Sequence, residues 1–175
     1  MRAGRQLEVM HIRRACKQRA TIRARAILRC WRIDLPMPMQ DGTILLADHY
    51  YTEQTSTAPT ILVRSPYGRT GIFGYLFARV FAERGFQVLI QSCRGTFGSG
   101  GNFDAFRDEE SDGADTLAWI KTQPWFSGTL ATVGPSYLGL VQWAMATKGM
   151  GGAGGLIKAM GLQITGSDFR KLVYP

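Results

Sequence analysis

Apolar residues fall in two rhythms along this chain. Residues 60–64 (TILVR) and 87–91 (QVLIQ) are short apolar runs between polar flanks, the pattern of strands buried on both faces. Between them, Phe77, Val80 and Phe81 recur at i, i+3, i+4 spacing, which predicts a helix over 74–84 that stops at Gly85. Upstream, residues 31–36 predict a short first strand and residues 44–51 alternate as a second, with the Asp41-Gly42 turn signal between them. Residues 53–58 are a polar loop.

Downstream, residues 108–122 predict a helix. Its acids Asp108, Glu109, Glu110, Asp112 and Asp115 cluster toward the start, where the helix dipole favours them. Leu117 and Ile120 fall on its buried side, and Pro124 ends it. A strand over 129–133 and a helix over 137–147 follow, then a loose connection with five glycines in residues 149–155, and a last parallel strand over 156–160. Strands alternating with helices in this way predict an α/β fold: a mostly parallel sheet with helices on both faces.

Charge divides the chain in two. The net charge of +8 looks diagnostic until it is mapped. Residues 1–32 hold ten Lys and Arg against the single acid Glu8, whereas residues 33–175 hold eleven basic and twelve acidic residues. The basic character belongs to a leader, disordered or helical, ahead of one globular unit over 33–175. Three origins fit residues 1–32: an Arg-rich presequence, a phosphate-gripping arm, or codons read from upstream of the true start, since Met37 and Met39 directly precede the domain. A nucleic-acid arm usually brings aromatic stacking as well, and Trp31 alone does not supply it.

No apolar stretch approaches the roughly 18 residues of a membrane span. Arg13-Arg14 invites comparison with a twin-arginine signal, but charges break the region behind it. Cys16, Cys30 and Cys93 are odd in number and form no paired motif, so reduced thiols and a cytoplasmic setting are expected, without a zinc site.

The loop Gly95-Thr96-Phe97-Gly98-Ser99-Gly100-Gly101 resembles a phosphate cradle only superficially. Gly101 and Asn102 stand where a P-loop carries Lys and Ser/Thr, and Phe103 stands where a dinucleotide fingerprint carries glycine. A glycine-permitted turn is the better account, and no cofactor or metal is expected.

The chemistry points to Gly134-Pro135-Ser136-Tyr137-Leu138-Gly139, set between a strand run and a helix run. A serine on such a bend is held exposed, close to the backbone N–H groups that open a helix. Taken by itself, Ser136 is equally suited to cap the helix. Gly134 favours the functional reading, because a side chain there would clash in a tight elbow. The usual hydrolase elbow carries its second glycine two residues after the serine; here Leu138 occupies that place and Gly139 follows.

Seven ordered segments make the comparison specific: Met39-Gln40-Asp41-Gly42, Arg64-Ser65-Pro66-Tyr67, Cys93-Arg94-Gly95 with Gly98-Ser99-Gly100-Gly101, Asp112-Gly113-Ala114-Asp115, Ala118-Trp119-Ile120, Gln123-Pro124-Trp125, and the serine bend. Together, over about residues 37–175, they resemble the N-terminal part of the X-Pro dipeptidyl-peptidase and cocaine esterase family of α/β-hydrolases. The resemblance implies that Ser136 is the acylated nucleophile. It implies that the Tyr137 backbone N–H and the Tyr67 phenol are the oxyanion donors. Tyr67 follows the end of a neighbouring strand, although a buried core tyrosine is the alternative.

In that family the triad acid and histidine come later in the chain. Here both histidines, His11 and His49, precede the serine, and neither matches a catalytic position. The expectation is therefore a truncated α/β-hydrolase, lacking the cap, the last strands and the C-terminal β-sandwich, and inactive alone. Ester, amide or peptide substrates follow from the family; dipeptides ending in proline, aryl esters and β-lactam side-chain amides all fit. The strand over 156–160, left at an edge, predicts self-association or a complementing C-terminal fragment. A non-catalytic binding remnant, or a basic-armed nucleic-acid binder, is the alternative.

Overall fold

The computed structural model describes residues 30–52, 55, 57–149 and 155–166. Six strands form one sheet in the order β1-β2-β4-β3-β5-β6. They are β1 (Cys30–Pro38), β2 (Ile44–Tyr51), β3 (Thr60–Ser65), β4 (Gln87–Ser92), β5 (Leu130–Pro135) and β6 (Ile157–Gln163). β1 and β2 form an antiparallel hairpin and β2 joins β4 antiparallel; β4, β3, β5 and β6 run parallel.

Among the described residues, three helices connect the parallel strands. The first, α1, is continuous through Gly71–Phe73, a widened π-helical turn over Gly74–Arg79, and Val80–Ala82. The others are α2 (Glu109–Lys121) and α3 (Tyr137–Gly149).

The runs TILV and QVLI alternate their side chains between two cores, as the pleat requires. Leu62 and Leu89 join Met37, Leu45, Leu117, Ile120 and Met145 on the face covered by α2 and α3. Ile61, Val63, Val88 and Ile90 join Ala78 of α1 and Leu138 on the other face. Helices on both faces of a mostly parallel sheet are thus what the burial shows. α2 and α3 touch closely: a Cβ on Gly113 would meet Met145 Cγ at 2.3 Å.

Several boundaries differ from expectation. β1 starts at Cys30, inside the segment assigned to the leader, because Cys30, Trp31 and Arg32 pair with Tyr51, Tyr50 and His49. A bulge then interrupts the ladder between Arg32 and Leu35, with Asp34 at φ +53°. α1 begins at Gly71 rather than residue 74, and β6 is displaced to Ile157–Gln163 by its register with β5. Residues 1–29, and with them most of the basic leader, lie outside the described residues.

His49 is 1% exposed in β2, its ring tilted against those of Trp125 at 4.1 Å and Tyr51 at 4.7 Å. Gln87 Nε2 donates to two backbone carbonyls, which leaves Gln87 Oε1 to accept from His49 Nε2 at 3.0 Å. Burial lowers the imidazole pKa to about 4, against 6.5 when free. The unfolded chain therefore binds the proton first as pH falls, and stability drains away between pH 6.5 and 4. Urea unfolding should show roughly 3 kcal/mol lost from this group by pH 4, and His49→Phe should flatten the decline between pH 6.5 and 5, above the usual carboxylate range.

Glycine to alanine inside a helix ordinarily gains about 0.5–1 kcal/mol. Gly113→Ala should instead lower the unfolding free energy by about 1–3 kcal/mol through overpacking, and the loss should vanish in a Met145→Ala background.

Candidate active site

The connections change direction between β3 and β5. The chain leaves β3 through α1 on one face to reach β4, then crosses back through α2 on the other face to reach β5. β3 and β5 pair only through Thr60, Ile61 and Leu62 against Leu130, Ala131 and Thr132, whereas β3 and β4 pair along all six positions of β3. Beyond Leu62 and Thr132 the two strands part. A crevice at the carboxyl ends of strands, where the winding reverses, is the habitual ligand site of open α/β sheets.

Ser136 stands at that crevice. β5 ends at Pro135, α3 begins at Tyr137, and the serine between them is exposed, with φ at +54°. Helix-capping residues take extended φ, so this serine is not in the ordinary capping geometry. A left-handed non-glycine residue carries strain of order 1–3 kcal/mol and persists only when its surroundings hold it. Here they do. Ser136 N donates to Gln163 O of β6 at 2.9 Å, and Ser136 O accepts from Gly139 N and Leu140 N at 2.9 and 3.1 Å.

Gly134 has φ +153°, and a Cβ there would fall 2.3 Å from Leu138 Cβ. The glycine lets strand and helix close on each other. At Gly139 the missing Cβ makes room for Thr165, just past β6.

Tyr67 lies beyond the end of β3, the strand beside β5, so the two expected site residues share one end of the sheet. It is 46% exposed, which rules out the core-tyrosine alternative. Its ring stacks at 5.6 Å on Phe73, and Phe73 lies 6.4 Å from Phe77 along α1. Its N–H donates to Ser65 Oγ at 3.0 Å. The loop is pinned by Arg69, whose guanidinium reaches Asp48 Oδ1 at 3.2 Å, Ser92 Oγ and Phe97 O at 2.8 Å each, and Asp34 in the β1 bulge.

Tyr137 opens α3. The first N–H groups of a helix have no partner within it, and the Tyr137 amide is one of these. Its phenol donates to Glu109 Oε1 at 2.8 Å and accepts from Phe106 N at 3.1 Å. Burial pushes the phenol pKa up, so it stays protonated.

The glycine loop 95–101 turns on itself. Gly95 N donates to Gly100 O, Thr96 N to Cys93 O, Ser99 N to Thr96 O, and Gly100 N to Ile44 O of β2. With these amides occupied, the turn reading is the supported one. Beside the loop, Arg94 ties Asp41 of the hairpin turn (2.6 Å) to Asp112 of α2 (2.5 and 3.1 Å). The same Arg94 holds the Asp41 carboxyl at about 2. Cys93 is a free, buried thiol pushed up to about 12 by burial. Among the described residues, no three His, Cys, Asp or Glu side chains converge as metal ligands do.

His49 does not join the site. It is a buried sheet residue, and it is the only histidine among the described residues. The structure also supplies partners that the sequence reading did not: Arg64, Glu109 and Arg69. A charged residue closing an apolar strand run was the available signal for Arg64.

Residues 41–174 match the family described as X-Pro dipeptidyl-peptidase (S15 family). This chain belongs to that family. It is 38% identical over 128 residues to a cocaine esterase of Rhodococcus sp. (strain MB1 Bresler), covering 71% of this chain and 22% of that one. An aminopeptidase from a marine sediment Thaumarchaeota archaeon superposes with a TM-score of 0.56 at 25% identity, over 66% of this chain and 22% of that one. A CocE/NonD family hydrolase from Staphylococcus aureus superposes at 0.63 with 21% identity, over 74% and 26%, and shares the fold. The chain thus spans about a fifth of the length of the curated relative it matches. No helix among the described residues is long and apolar enough to cross a membrane.

Relieving the strain at the bend should stabilise the protein. Ser136→Gly should raise the unfolding free energy by about 0.5–1 kcal/mol. Ser136→Val, β-branched at a left-handed position, should lower it by about 1–2 kcal/mol in the same urea titration.

Proposed function

We propose that this chain carries the acyl-transfer part of a serine hydrolase site acting on an ester, amide or peptide. Ser136 Oγ bonds to the carbonyl carbon, its proton passes to the leaving group, and the bond to that alcohol or amine breaks. Water then releases the acid and restores the serine. The Tyr67 phenol and the Tyr137 N–H are the donors to the oxyanion, at a typical cost of 10²–10³ in rate for each one lost (about 2.7–4 kcal/mol).

The observation that carries this reading is the exposed serine at φ +54°, on a strand-to-helix bend at the point where the sheet reverses its winding. Strain of that kind is kept where a side chain must be presented. The near-neutral charge of residues 33–175 supports a hydrolase over a nucleic-acid binder.

The base is not found among the described residues. His49 sits in the sheet bonded to Gln87, so no described imidazole serves Ser136. Loss of one triad member leaves only the gain from the oxyanion hole and binding. We read residues 33–175 as the nucleophile-bearing N-terminal part of the catalytic domain, nearly inactive by themselves. The outer side of β6, an edge among the described residues, is where a complementing polypeptide or a second copy would add.

A fluorophosphonate probe tests both halves of the proposal. Oγ bonds to phosphorus, fluoride leaves, and the serine proton goes to solvent. Intact mass and peptide mapping should show one adduct, on Ser136, forming over hours and absent from Ser136→Ala. Adducts that persist in Ser136→Ala would sink the acyl-serine reading. Complete labelling within minutes would mean that a base is present after all.

A further inference from the structure

This inference rests on the acyl-serine reading above. The two oxyanion donors sit on different elements, Tyr67 beyond β3 and Tyr137 at the start of α3. One buried carboxylate is bonded to both elements. Glu109, in the first turn of α2, accepts a hydrogen bond from the Tyr137 phenol at 2.8 Å on Oε1. Its Oε2 lies 3.0 Å from Arg64 Nη2, an ion contact outside hydrogen-bond alignment. The Glu109 carbonyl also accepts from Arg64 Nη1 at 2.9 Å.

Arg64 belongs to β3, three residues before Tyr67, and its Nε donates to Gln91 Oε1 of β4 at 2.7 Å. It is among the largest fully buried side chains of the protein. Buried ion pairs are often no more stabilising than apolar residues of the same volume. Stability alone therefore gives little account of a carboxylate and a guanidinium between α2 and β3.

The chain of contacts gives another account. Tyr137 is the residue immediately after the strained serine, and its far end is held twice, by Glu109 and by the Phe106 N–H. The Phe106 ring lies 5.3 Å from the Tyr137 ring, which limits its swing. A bend that would relax by rotating about residues 136 and 137 is stopped at the tip of the next side chain. Donors to a developing charge are effective only when fixed before the reaction.

We propose that Glu109 is a positioning residue: through the Tyr137 phenol it fixes the residue 137 amide, and through Arg64 it fixes the end of β3 that carries Tyr67. The two donors are then set relative to each other by one side chain that touches neither the substrate nor Ser136.

Tyr137→Phe is the informative variant, since it keeps the ring and the backbone N–H and removes only the hydroxyl. Glu109→Gln is the companion. In the full chain, phosphonylation of Ser136 should separate into probe affinity and maximal rate. The expected result is a maximal rate lowered 10- to 100-fold with affinity changed less than twofold. An unchanged maximal rate would overturn the proposal.

Amide hydrogen exchange supplies a readout independent of reactivity. Tyr137→Phe should loosen segment 134–140 and also segment 64–70, which it does not touch. Loosening confined to 134–140 would mark a local packing role and overturn the coupling. If the parent chain gives no Ser136 adduct, the acyl-serine reading fails, and the exchange result still decides whether Glu109 couples the two segments.

Discussion

The architecture depends on the close approach of β5 and α3 at Gly134. With 2.3 Å between its missing Cβ and Leu138 Cβ, no other residue fits without moving the helix. That contact forces the chain to reverse within one residue, and the residue in the reversal is Ser136 at φ +54°. The geometry is unfavourable locally, so everything around it is arranged to hold it. Gln163 of β6 holds its amide, and the first turn of α3 holds its carbonyl. Leu138 sinks among Ile61, Val63 and Val88.

Around that bend the sheet buries charge rather than avoiding it. Arg64 and Arg69 are both buried, and each binds partners from elements far apart in sequence. Arg69 fastens the loop after β3 to the β1 bulge, to β2 and to the loop after β4. Arg64 fastens the end of β3 to α2. Such pairs are costly to break, because removing one partner leaves the other charge desolvated. They contribute orientation: the ends of strands are given fixed relations that apolar contacts alone would leave looser.

Much of this was legible in the sequence, for identifiable reasons. β2 has the predicted limits, and β3 and β4 differ by one residue each, because a run such as TILV or QVLI between polar flanks admits few alternatives. Ser136 was legible from a strand run, a glycine and a helix run in order. Tyr67 was legible only through the ordered segments around it. The start of α1 was not, since Gly71 sits at φ +61° and the widened turn has no period of its own. β1 extends to Cys30 because its partner in β2 does. Glu109 does lie in the first turn of α2 with the other acids, as the sequence indicated, but its buried contacts were not legible there. Its position at the head of the stripe Glu109, Asp112, Thr116 and Ile120 marked it as inward-facing, but its partners lie 45 and 28 residues away.

The file of rings from Tyr67 through Phe73 to Phe77 gives the widened turn of α1 a mechanical meaning. Phe73 sits immediately before that widened stretch and Phe77 lies within it, resting on the core beneath. A π turn holds an additional residue per revolution and can revert to ordinary winding by shifting its register. Such a slip would drag the stacked rings and tilt the phenol at their outer end. The ring contacts thus give α1 a continuous line of packing from its widened turn to the phenol beyond the end of β3.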